Sequence, residues 1–184
     1  MSQATQPLVD ELVGNAHGNL PRVQEILDEH PELANDRATW NETPIEAATQ
    51  MGNRQIIEYL IGRGAPVDFF TALVLGDGDR VEQELKARPA AAQDRGVHDL
   101  APLYFGAIGG HVETARRLLA AGADVNASAQ AAAPIHGAVM GGSAEMVRLL
   151  LENGADASLK DYAGRDARAL ALEVKRPDIA ALFD

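Results

Sequence analysis

Any chemistry in this chain would have to start from its five histidines, and their spacing offers little. His17, His30, His98, His111 and His136 include no pair four residues apart. One helix face therefore cannot present two imidazoles to a zinc ion. Cysteine is absent, which removes thiolate ligands, disulfides and a thiol nucleophile together. No G-x-S-x-G segment lifts a serine out of a strand-to-helix turn. Gly76-Asp77-Gly78 lacks the rest of a phosphate loop, and its aspartate would repel phosphate. The acidic residues are plentiful but scattered. The pattern predicts a non-catalytic chain with no cofactor and no resident metal. His98 alone stands where a binding role is worth testing.

The charge balance narrows the partners. The formal net charge is -11 and the pI is about 4.8. Nucleic acid and anionic membrane surfaces both need clustered Lys and Arg, so neither is expected. A basic or amphipathic protein segment suits the charge. Met1 to Val9 has neither the basic start nor the apolar centre of a signal peptide. No run approaches the roughly 20 apolar residues that cross a bilayer. A cytoplasmic, monomeric protein is the expectation.

The elements that carry these residues are repeated. In Gly110 to Ala127, Val112, Ala115, Leu118 and Leu119 recur at helical spacing, with Glu113, Arg116 and Arg117 off that face. Gly122 follows, where a left-handed helix cap favours a residue without a Cβ. So short a helix needs a neighbour for its apolar face. A shift of 58 residues brings Gly18 onto Gly76, Pro44 onto Pro102, Gly52 onto Gly110 and Gly64-Ala65 onto Gly122-Ala123. A shift of 32 carries Pro102 to Pro134 and Gly122-Ala123-Asp124 to Gly154-Ala155-Asp156. The turn glycines fall at 18, 52, 76, 110 and 142, spaced by 34, 24, 34 and 32. The base unit is about 33 residues, and one unit is shortened.

Thr43-Pro44-Ile45-Glu46-Ala47-Ala48 and Ala133-Pro134-Ile135-His136-Gly137-Ala138 resemble the T-P-L-H-x-A signature of the ankyrin repeat. Gly110-His111 to Asn126 resembles its second helix and exit loop. Asp161-Tyr162-Ala163-Gly164-Arg165 resembles its D-x-x-G-x finger. The resemblance implies an all-α ankyrin-repeat solenoid of about six helix-turn-helix units with short β-hairpin or loop fingers. As a single domain over 1–184, its units span about 7–35 (an N-terminal cap), 36–67, 68–93, 94–126, 127–158 and 159–184 (a C-terminal cap). One finger is missing between units two and three, and Phe69 and Phe70 are expected to fill the space. The resemblance also implies that His136 bonds backbone between units, and that His111 is structural.

In ankyrin proteins, ligands contact the fingers and the ends of the first helices. By position, this resemblance implies a protein-binding set of Thr39, Trp40, Glu42, Met51, Val74, His98, Leu100, Phe105, Ile108, Met140 and Tyr162. The finger of unit five would add Ala129, Gln130 and Ala132. Met51, Val74, Phe105, Ile108 and Met140 would line the concave face as an apolar stripe, with Trp40 at an exposed tip. A second reading stands beside it. Phe105 and Ile108 could equally pack helices, and Trp40 could fold onto its own finger. The function expected is protein recognition, and the competing reading is a structural or self-associating scaffold.

Overall fold

Short polar residues start the helices, and the apolar periodicity carries them on. In the computed structural model, which describes residues 5–127 and 132–184, twelve α-helices are joined by turns and short 3-10 segments, with no strand among the described residues. They are α1 (Gln6–Ala16), α2 (Leu20–Glu29), α3 (Pro44–Gln50), α4 (Arg54–Gly62), α5 (Phe69–Leu75) and α6 (Gly78–Ala87). There follow α7 (Pro102–Ile108), α8 (Val112–Ala120), α9 (Pro134–Met140), α10 (Ala144–Glu152), α11 (Ala167–Glu173) and α12 (Pro177–Ala180). Asn19, Asn53, Asp77, Ser143 and Asp166 each accept a backbone N–H as helix N-caps. Thr43 and Glu46 satisfy one another's backbone donors at the start of α3.

The chain groups into two compact parts, residues 1–71 and 72–184. In the first, α1 packs on α3, and α2 and α4 pack behind them. Val9, Leu12, Val13, Leu27, Ile56, Ile57 and Leu60 are its buried centre. Phe69 and Phe70 are half-buried and meet edge to face, with ring centroids 5.8 Å apart.

In the second part, α7, α9 and α11 form one layer, and α6, α8, α10 and α12 form the other. α7 and α9 approach closely because glycine stands where their backbones meet. A Cβ on Gly141 would lie 2.3 Å from the Ile108 carbonyl oxygen. On α8, Ala115 and Leu118 are fully buried, while Val112 and Leu119 lie at the edge of the packed face. Gly122 takes φ +88° just after the helix, so the cap forms as its position predicted.

Amide side chains tie successive loops. The Nδ2 of Asn126 donates to the Gly154 carbonyl at 3.0 Å, and its Oδ1 accepts the Asp156 N–H at 2.7 Å. Within the same part, Gln93 donates to Gly122 at 3.5 Å. In the first part, Asn35 donates to Gly64 at 3.4 Å. The carbonyl accepted is each time that of the glycine just past a second helix, a group the helix itself leaves unpaired.

Loop length is uneven. Residues 30–43, 88–101 and 153–166 join one helix pair to the next, whereas 63–68 alone joins α4 to α5.

Candidate functional site

Among the described residues, three five-residue turns share one geometry, and each presents side chains outward. In 38–42, 96–100 and 161–165, the first residue's N–H donates to the fifth residue's carbonyl, at 2.9 Å in each case. The fourth residue takes positive φ in all three: Asn41 at 66°, Asp99 at 61° and Gly164 at 76°. Asn, Asp and Gly tolerate that region best. Thr39, Val97 and Tyr162 are therefore equivalent second positions. Trp40, His98 and Ala163 are equivalent third positions, and Glu42, Leu100 and Arg165 are equivalent last positions.

The turn at 38–42 is anchored from behind. Asp10 on α1 accepts the Thr39 N–H at 2.8 Å and the Thr39 hydroxyl at 3.0 Å. Hydrogen bonds from Gln6 and Thr39 hold the Asp10 carboxyl below its ordinary range. The indole N–H of Trp40 donates to Glu42 at 2.8 Å, while 47% of the residue remains exposed. Glu42 is buried, and His17 Nε2 lies 3.7 Å from the same carboxylate oxygen.

The turn at 161–165 is anchored through Asp161. Its carboxylate accepts the backbone N–H groups of Ala163 and Arg165 and the Nε of Arg165, all at 2.9 Å. Burial would raise this carboxyl, but those bonds outweigh it and hold it low. Arg165 also lies over the Tyr162 ring, 5.7 Å from its centroid. Tyr162 is 77% exposed.

Burial corrects the expected apolar stripe. Phe105, Leu100, Val74 and Ile108 are all buried. Every residue of α7 is buried, because the helix has neighbours on all sides and no free face. Phe105 instead packs edge to face on Tyr104, with centroids 5.6 Å apart. Glu42 is likewise withdrawn from the surface, and Ala132 is buried. Thr39, Trp40, His98, Met140 and Tyr162 are exposed, and Met51 is half-buried. Ala129 and Gln130 lie outside the described residues. Met140 closes the end of α9, where its sulfur accepts the Tyr104 hydroxyl at 3.9 Å.

The histidines have packing partners. His136 is buried. Its Nδ1 accepts the Ala133 N–H at 3.1 Å, which leaves the proton on Nε2 to be donated to the Arg165 carbonyl at 3.2 Å. Burial lowers its pKa. His111 Nε2 lies 3.1 Å from the Val74 carbonyl. Among the described residues, no three His, Cys, Asp or Glu side chains cluster to hold a metal.

Hollows also indent the surface. One of about 440 Å³ is lined by Arg37, Thr43, Ile45, Glu46 and Asp68, among others. Another, of about 470 Å³, lies between α6 and α8 beside Leu85 and Ala121. There Arg117 donates to Glu82 at 2.7 Å, and Lys86 pairs with the same carboxylate. Neither gathers a base, a nucleophile and an oxyanion donor.

Residues 70–161 match ankyrin repeats in three copies. The chain belongs to the ankyrin repeat family. This ankyrin-repeat chain is also similar to alpha-latrocrustotoxin-Lt1a of Latrodectus tredecimguttatus, with 26% identity over 113 residues. That similarity covers 57% of the chain but only 8% of the toxin. Ankyrin repeats generally act as protein-protein interaction modules. In the ankyrin-repeat chain, Arg165 was expected beside Tyr162 at the last finger, whereas the anchoring residues Asp10 and Asp161 were absent from the predicted site. The D-x-x-G-x spelling at 161–165 signals Asp161, whereas the reach of Asp10 to Thr39 has no local signature. Among the described residues, no helix is long and apolar enough to cross a membrane.

Proposed function

We propose that this chain is a non-catalytic recognition module that docks another protein on its turn tips and on the end of α9. In this reading the chain comprises six units with the boundaries given above, and the short 63–68 connection supports the loss of a finger between units two and three. The observation that carries this reading is the pairing of exposure with anchoring. Trp40 and Tyr162 are exposed, on turns whose backbones are held by Asp10 and Asp161. Aromatic side chains on pre-ordered backbone suit an interface, because little conformational freedom is lost on docking. The acidic balance favours a basic or amphipathic partner segment.

Self-association is the second reading, and it draws on Leu172 and Val174, which are 49% and 41% exposed at the end of α11. Sedimentation velocity and affinity capture separate the two. Recognition predicts a monomer at micromolar concentration and a retained heterologous protein. A concentration-dependent dimer with nothing captured favours self-association.

A further inference from the structure

The equivalence of the turns at 38–42 and 161–165 carries the recognition reading one step further. Each turn exposes an aromatic ring, but the charge at the last position is reversed. At 161–165 that position is Arg165, whose guanidinium lies over the Tyr162 ring. At 38–42 it is Glu42, whose carboxylate accepts the indole N–H of Trp40. One turn supplies a cation to its own aromatic, and the other places an anion against its aromatic.

The consequence is electrostatic. An indole that donates its N–H to a carboxylate has more negative charge on its ring face, the face that attracts cations. Glu42 is 3% exposed, so its charge is poorly screened and acts at the ring from a low-dielectric position. A second carboxylate, Asp10, holds the same turn through Thr39. The nearby guanidinium of Arg37 is engaged by Glu46 at 3.1 Å and by the Asn41 carbonyl at 2.8 Å. His17 Nε2 lies 3.7 Å from the Glu42 carboxylate oxygen that accepts the indole N–H. Trp40 is 47% exposed, which leaves part of the residue accessible to a ligand.

The geometry points to Trp40 as an acceptor for an arginine side chain of the protein partner, stacked on the indole and drawn by the Glu42 carboxylate behind it. Guanidinium fits better than ammonium, because it is flat, weakly hydrated and stacks on aromatic faces. This rests on the recognition reading and names the chemistry that reading leaves open.

The test uses the whole chain and its single tryptophan, whose emission reports only this site. The probes are a blocked peptide with one arginine between glycines and the same peptide with citrulline, which keeps the shape and loses the charge. The arginine peptide is expected to change the emission saturably. The citrulline peptide should bind roughly threefold to thirtyfold more weakly, and the preference should shrink in Glu42→Gln. Circular dichroism checks that this variant folds. If it does not, the comparison on the wild-type chain decides alone. Equal affinity for the two peptides, or no response to either, overturns the inference. A chain that captures a protein through Trp40 yet ignores the arginine peptide loses this inference and keeps the recognition reading.

Discussion

The Nε2 of His136 donates to the backbone carbonyl of Arg165 across 3.2 Å, linking the start of α9 to the close of the 161–165 turn. The same ring accepts the Ala133 N–H, so only the neutral imidazole can serve both partners. Burial lowers its pKa from the ordinary 6.5. Below about pH 6.5 the unfolded chain therefore binds a proton that the folded chain resists. The stability from this residue is present above that pH and is lost as the pH falls toward the folded pKa. Urea denaturation at about pH 7.5 and about pH 5.5 should show a loss in the wild type that is smaller in His136→Gln. An equal loss in both would assign the acid sensitivity elsewhere.

Asn126 spans two loops with two hydrogen bonds, to Gly154 and from Asp156. Asn126→Ala leaves a helix-end carbonyl and a backbone N–H to water. The expected cost is about 1–2 kcal/mol in urea denaturation, with an unchanged slope. A negligible change would mean that solvent replaces both bonds without loss.

Lys175 takes φ 60° at the turn between α11 and α12, where Gly142 takes 70° between α9 and α10. A residue with a Cβ is strained there. Lys175→Gly should raise the thermal midpoint, with a gain of up to about 1 kcal/mol. A lower midpoint would show that the side chain contributes more than the backbone strain costs.

The helices were legible because their signals are local. Asn19 caps α2, and Thr43 caps α3 directly before Pro44, in the Thr-Pro pair that opens the repeat signature. The exposed and buried faces of the first helices were not legible. α7 is buried all round, so apolar periodicity cannot say which of its residues face solvent. The sequence therefore left Phe105 and Ile108 open between a surface stripe and helix packing, and their burial fits the packing reading. Trp40 was readable as a turn-tip residue, but its bond to a buried carboxylate was not, since Glu42 is polar and two positions away. The amide ties of Asn35, Gln93 and Asn126 recur at the end of a unit, a signal visible only once their carbonyl partners are known.

The central claim is that the exposed turn and helix-end residues recognise a protein without carrying the fold. Its most direct test is calorimetric titration of a captured partner into the wild-type chain and into Trp40→Ala/Met140→Ala/Tyr162→Ala, with thermal melting of both. The account predicts nearly equal melting and an affinity at least about tenfold weaker in the triple variant, as truncated interface anchors give. Equal affinity in the two chains would contradict it, and so would a lost affinity explained by a collapsed melting transition.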